Sequence, residues 1–183
     1  YFQNVGQTER KGIEVGLHGK VEKLSYAVNY GFVDATYESG FDVNTIDGPK
    51  PVNKGNRIPG IARQTFKFRT SYEVTPTWIV GGNLVAATGQ YAHGAENNQT
   101  LLGVTPKIPG YAILNLDTNY NLTSNWSLFA KVNNVLDKEY STFGQLGQNI
   151  YTNEYEQFRT PSAPRAGWVG ITYNFGGAKK TDI

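Results

Sequence analysis

Trp168-Val169-Gly170-Ile171-Thr172-Tyr173-Asn174-Phe175 decides how the chain is read. With a period of two, Val169, Ile171, Tyr173 and Phe175 share one face, while Gly170, Thr172 and Asn174 share the other. That pattern is a β-strand with one apolar and one polar face, ending on an aromatic residue. Alone it would suit a soluble sandwich as well as any other sheet. Its meaning depends on whether the rest of the chain repeats it.

It does, six times. Ile13, Val15 and Leu17 alternate with Glu14 and His18, and after a turn at Val21-Glu22-Lys23 the run Leu24, Tyr26, Val28, Tyr30, Phe32 follows. Phe66, Phe68, Thr70 and Tyr72 stand against Lys67, Arg69 and Glu73. Thr75-Pro76-Thr77 turns the chain into Trp78, Val80, Gly82, Leu84 and Ala86, although Ile79 and Val85 blur the second face. The cleanest alternation sets Ala112, Leu114, Leu116, Thr118, Tyr120 and Leu122 against Asn115, Asp117, Asn119 and Asn121. Thr123-Ser124-Asn125 then leads into Trp126, Leu128, Ala130 and Val132, and this segment continues toward Tyr140. No segment carries a 3.6-residue period over helical length, so the chain is all-β.

Three long polar stretches, about Tyr37 to Ala62, Tyr91 to Gly110 and Ser141 to Ala166, read as loops. They alternate strictly with the three tight turns, which gathers long loops at one end of the sheet and tight turns at the other. Tyr26, Tyr72, Trp78, Tyr120, Trp126 and Tyr173 all fall on the apolar face near the tight-turn end. A sandwich requires no such belt, whereas membrane barrels carry aromatic girdles at the lipid–water boundary. The pattern therefore favours a transmembrane antiparallel β-barrel over a soluble β-sandwich.

Composition excludes several classes. The 183 residues are 39% hydrophobic and 13% aromatic, with 21 Gly and neither Cys nor Met. No apolar run approaches the roughly 18 residues of a membrane-spanning helix. A formal charge of +2, with no Lys/Arg run longer than two residues, gives no case for nucleic acid. His18 and His93 lie far apart and no metal site is expected. No catalytic set is present, so the chain is not expected to be an enzyme. The opening Tyr1-Phe2-Gln3-Asn4 has no initiator Met and no signal core, which suggests a processed chain or a piece of a longer one.

Four stretches then carry a resemblance. Gly6-Gln7-Thr8-Glu9-Arg10-Lys11-Gly12-Ile13-Glu14, Arg57-Ile58-Pro59-Gly60, Asn133-Asn134-Val135-Leu136-Asp137-Lys138-Glu139-Tyr140 and Pro164-Arg165-Ala166-Gly167-Trp168 through Phe175 occur in order. Together they resemble the C-terminal part of the barrel of TonB-dependent outer-membrane receptors, over nearly all of Tyr1 to Phe175. The resemblance implies that residues 1–175 form about seven strands at the C-terminal end of a 22-stranded, plugged barrel, with 176–183 a polar flexible tail. Tight turns would then be periplasmic and long loops extracellular. Seven strands leave edges unpaired, which lipid does not tolerate, so the remainder of the receptor should complete the barrel.

The function implied is uptake of a scarce nutrient, a ferric siderophore foremost, in the bacterial outer membrane. No covalent cofactor is implied; a ferric chelate would be the ligand. Haem, cobalamin or sugar receptors of the same family, and a passive porin-like or structural barrel, are the alternatives. Implied partners are outer-membrane lipid and lipopolysaccharide, the plug and other strands, the TonB complex through the N-terminal part, and the barrel-assembly machinery. Ligand contacts are expected from Tyr91 and His93 in the second long loop and from Tyr151, Tyr155 and Arg159 in the third, because aromatic rings and a guanidinium suit a flat, anionic chelate. Trp168, Tyr173 and Phe175 resemble the C-terminal assembly signal, although residues follow Phe175. The basic residues of Arg57-Ile58-Pro59-Gly60 and Lys107-Ile108-Pro109-Gly110 read as structural strand starts, and Lys67, Arg69, Glu73 and Lys131 as lumen charges. The face assignment makes Leu116→Arg destabilising and Asn115→Arg nearly neutral.

Overall fold

The computed structural model describes residues 6–175. Seven of its strands form one antiparallel meander: β1 (Thr8–Val21), β2 (Leu24–Tyr37), β5 (Gln64–Thr75), β6 (Trp78–Ala87), β9 (Tyr111–Asn121), β10 (Trp126–Asn133) and β13 (Ala166–Tyr173), adjacent in space in that order. There is no helix among the described residues. The sheet does not close on itself within this chain, since β1 and β13 are its two edges. The expected tail, 176–183, lies outside the described residues.

Register decides the faces, because residues opposite each other across a ladder point the same way. Val15 pairs with Tyr30, Tyr30 with Phe66, Phe66 with Ala86 and Ala86 with Ala112. Leu116 pairs with Gly82 and Val132, and Leu128 with Tyr120 and Ile171. Every apolar run therefore lands on a single face, and that face is uncovered: Leu17 is 59% exposed, Ile171 58% and Val169 85%. In water so large an exposed apolar surface would be untenable. In lipid it is the expected exterior.

The aromatic belt forms as cross-strand pairs. Trp78 lies opposite Tyr120, and Trp126 opposite Tyr173 with ring centroids 4.6 Å apart. On β2 the lipid face is apolar from Leu24 to Phe32, eight steps. At about 3.4 Å per residue and a tilt near 40° that gives about 21 Å of depth, close to the roughly 25 Å apolar band of outer-membrane barrels. Beyond it the same face turns charged, with Lys11 opposite Asp34 and Arg63 held 3.1 Å from Asp34. β1 and β2 thus project past the apolar band, further than the alternation of Ile13 to Leu17 and Leu24 to Phe32 indicates.

The polar face carries His18, Lys20, Lys67, Arg69, Glu73, Asp117 and Lys131, with ion pairs Lys20–Glu73 at 2.5 Å and Arg69–Asp117 at 4.0 Å. Trp168 is on this face too, opposite Lys131, whereas Tyr173 is on the lipid side.

The long stretches are not simple loops. Each contains a two-stranded ribbon: β3 (Phe41–Thr45) with β4 (Gly48–Val52), β7 (Gln90–Tyr91) with β8 (Lys107–Ile108), and β11 (Ser141–Gln148) with β12 (Tyr155–Pro161). Their Gly, Pro and Asn residues turn hairpins rather than mark irregular chain; Gly48 and Asn153 have φ of +84° and +60°. The sixth segment also ends sooner than its pattern suggests, at Asn133. Asn134, 2% exposed with φ +50°, stops it. Its side chain accepts from Lys138 N at 2.8 Å and donates to Lys138 O at 2.9 Å, closing the turn of the Asn133–Tyr140 segment. Its N–H donates to Asn115 Oδ1 (2.8 Å), and Asn115 donates to Asn83 Oδ1 (2.7 Å). Asn115 is therefore part of a polar network, so Asn115→Arg is expected to disturb that network rather than to be neutral.

Candidate functional site

The three long loops meet at the rim opposite the tight turns. Ala92, Ala95 and Ile108 of the second loop and Leu146 of the third bury one another, with Val104 and Tyr155 packed on the outside. Backbone bonds join the two loops: His93 N donates to Gly144 O (2.9 Å) and Leu146 N to His93 O (2.8 Å). Side chains add two more, Gln90 Nε2 to Thr142 O at 2.7 Å and Gln157 Nε2 to Thr105 O at 3.0 Å. The first loop is clasped to the second by a reciprocal pair, Arg57 N to Asn98 Oδ1 (2.5 Å) and Asn98 Nδ2 to Arg57 O (2.8 Å). Asn98 can serve because it tolerates its φ of +59°.

Within this body the repeated Arg/Lys-Ile-Pro-Gly segments have distinct parts. Ile108 fills the loop core at 1% exposure. Arg57 and Lys107 both approach the ring of Tyr91, at 5.6 and 5.9 Å from its centroid. Burial first, and nearby Arg63 second, push the Arg57 guanidinium below its ordinary pKa, while Tyr91 acts in the opposite direction. Gly60 (φ +77°) donates its N–H to Tyr91 O at 2.9 Å, and a Cβ there would meet His93 Nε2 at 2.7 Å.

The expected ligand contacts are thus separated into four places. Tyr91 and His93 sit together at the junction of the loops, His93 stacked on Phe143 at 5.3 Å. Tyr155 packs against the loop core, where burial first and Glu96 second raise its phenol pKa. Tyr151 stands 92% exposed at the tip of the β11–β12 hairpin. Arg159, bonded to Gln157, lines a pocket of about 660 Å³ shared with Pro109, Asp137, Lys138, Glu139 and Tyr140. Asp137 is itself held by Arg165, whose N–H donates to it at 2.9 Å. Among the described residues no group of three His, Asp or Glu side chains is gathered to hold a metal ion. Asn98 and Ile108 escape a reading of the sequence; the only signal for Ile108 is the repeat itself, whose proline and basic residue draw attention away from the isoleucine.

Comparison with known proteins agrees with this architecture. The family described as "TonB dependent receptor-like, beta-barrel" matches residues 1–135. A probable TonB-dependent siderophore receptor of Acinetobacter baumannii, PiuA, is 26% identical over 144 residues, 77% of this chain and 18% of that protein. The metal-pseudopaline receptor CntO of Pseudomonas aeruginosa is 24% identical over 176 residues, 96% of this chain and 22% of its own length. The crystal structure of the A. baumannii PiuA receptor superposes with a TM-score of 0.73 at 21% identity, covering 91% of this chain and 22% of the receptor. The ferric-catecholate import receptor Fiu of E. coli K12 gives 0.67 at 20% identity, covering 92% of this chain and 21% of that one. The chain thus spans about a fifth of the length of the relatives it matches. A meander with an apolar exterior, a charged interior, tight turns at one rim and long loops at the other, matched by the family over most of its length, belongs to the barrel of the TonB-dependent receptors of the bacterial outer membrane.

Proposed function

We propose that this chain forms part of the wall and three extracellular loops of a receptor that imports a metal chelate, a ferric siderophore foremost, through a plugged barrel. The observation that carries the reading is the similarity, over 77% and 96% of the chain, to receptors named for a siderophore and for metal-pseudopaline. The family consists of transport receptors, and no catalytic step is assigned to this chain. Tyr151 would make first contact from its hairpin tip, while Tyr91, His93 and Arg159 would meet the chelate at the loop junction and the pocket beside it. Tyr155 would act by shaping the loop. Lys67 and Lys131 on the polar face would meet the plug, and energy would come from TonB through a part of the receptor outside this chain. Lys11 and Arg63, at the level where the outer face turns charged, would meet lipopolysaccharide phosphates. Trp168, Tyr173 and Phe175 would be read by the barrel-assembly machinery through strand addition.

A second reading, uptake of a chelate of another metal, is favoured by the match to CntO, which extends over 96% of the chain. Growth of a strain lacking the whole receptor on single chelated-metal sources separates them. Loss of growth on one ferric siderophore, restored by the intact gene, supports the first reading. Normal growth on every ferric siderophore together with lost uptake of another chelated metal supports the second. Unaltered uptake of all chelates overturns both.

A further inference from the structure

The lipid-facing side of the sheet is not evenly filled. Gly82 of β6 lies opposite Thr70 and Leu116, on the floor of an open, shallow hollow of about 600 Å³. Its walls are Phe68, Tyr72, Leu84, Leu114, Leu116 and Val132, and Leu24 borders it at the tight-turn end. The two threonine hydroxyls in the hollow are satisfied by protein. Thr70 Oγ1 donates to Ser25 O (3.2 Å); Thr118 Oγ1 donates to Ile79 O (2.9 Å) and accepts from Trp78 Nε1 (2.8 Å). With both threonines satisfied, the floor of the hollow is apolar, and the Tyr72 phenol stands at its tight-turn rim.

We propose that this hollow seats one acyl chain of an anionic glycerophospholipid in the leaflet bordering the tight turns, with its phosphate at Lys23. Three observations select this occupant. The hollow is continuous with the lipid-facing surface of the barrel. Along β5 it runs from Tyr72 to Phe68, four residue steps or about 14 Å, which at a tilt near 40° is about 10 Å of depth and lies within one half of the roughly 25 Å apolar band, as a chain from a single leaflet would. Lys23 sits in the β1–β2 turn immediately before Leu24 and has no ion-pair partner among the described residues.

Within a bilayer no hydrophobic gain distinguishes one apolar surface from another. Selection comes from dispersion, and a chain lying in the hollow touches more protein atoms than one on the flat face beside it. Filling the hollow should therefore release the lipid without altering the apolar character of the face. A Cβ at Gly82 would meet Leu116 Cδ2 at 3.1 Å, the movable end of a side chain, and Asn115 O at 3.3 Å.

The whole receptor, delipidated in mild detergent and titrated with phosphatidylglycerol, tests this by native mass spectrometry. The wild type should retain one phospholipid, and Gly82→Leu should weaken retention about fivefold. Lys23→Gln should weaken phosphatidylglycerol while leaving an uncharged diacylglycerol unaffected. Heat-modifiable gel mobility monitors folding, and Leu114→Trp narrows the same hollow from its wall should Gly82→Leu not fold. Equal retention by wild type and a folded hollow-filling variant, no retention by the wild type, or loss of a dimer in place of a lipid would each overturn the proposal.

Discussion

Leu116, Ile171 and Val169 in the sheet stand exposed, and each occupies a rung of a regular ladder. In the loop body Ile108, Leu146, Ala92 and Ala95 are buried, yet they come from two separate loops and follow no period. The sheet is specified locally and stabilised by its solvent, the bilayer. The loops are specified by one another and stabilised by a small core of the kind found in a soluble domain. The receptor thus joins a wall whose apolar residues face out to a cap whose apolar residues face in. Charged groups mark the seam, beginning at Lys11, Asp34 and Arg63.

The largest test of that contrast lies in the wall. Leu116→Arg should destabilise the barrel by about 2 to 4 kcal/mol if Leu116 faces mid-bilayer lipid. Asn119→Arg, on the opposite face of the same strand, should cost less than about 1 kcal/mol, read by denaturant unfolding in lipid vesicles. Equal losses would break the assignment of faces. In the cap, Ile108→Ala should cost about 2 to 3 kcal/mol through the cavity it leaves. Hydrogen exchange should rise at His93 and Leu146 while the ladder between β6 and β9 stays protected, because the cap has its own core. Asn134→Ala sharpens the boundary between the two regions. It leaves the Lys138 N–H and carbonyl without their partner at a buried turn, at about 1 to 3 kcal/mol, with exchange rising from Asn134 through Lys138.

The smallest effect concerns the ion pair Glu38–Lys54, 2.9 Å apart in the first loop. The hydrogen bond from Lys54 holds the Glu38 carboxyl below its ordinary pKa. A depressed carboxylate contributes stability above its unfolded-state pKa and loses it as pH falls through the folded value. Lys54→Gln should therefore move the Glu38 carboxyl resonance, followed by NMR titration, back toward the ordinary value, while solvent screening of this exposed pair keeps the change in global stability too small to detect.

The wall was legible in the sequence because its physics is local. A period of two, a turn signal and a belt of rings suffice to assign Leu116 and Tyr120 to one face and Asp117 to the other. Even there, reading by alternation alone missed what lies across strands: Asn115 looks like any lumen residue until it is seen bonding Asn83 and the N–H of Asn134. The cap was legible only as polar chain. Its hairpins are short and rich in Gly and Pro, and its core depends on contacts between residues such as Ile108 and Leu146, 38 positions apart. Among the expected ligand residues, the chemistry of Tyr155 was readable but its packing against that core was not. Nothing in the spacing indicated that Arg57 and Lys107 would converge on Tyr91.

The division into an outward lipid face and an inward polar face is tested most directly by a spin-label scan of β9. These 183 residues contain no cysteine, and any elsewhere in the receptor is replaced by serine first. Single labels at residues 113 through 120 in the whole receptor, reconstituted in vesicles, report accessibility to oxygen, which concentrates in lipid, and to a water-soluble nickel chelate. Oxygen accessibility should peak at Leu114, Leu116, Thr118 and Tyr120 and fall at Asn115, Asp117 and Asn119, with the nickel chelate reaching its lowest values at the lipid-facing positions. A flat profile, or peaks for the nickel chelate at Leu114 and Leu116, would contradict the account.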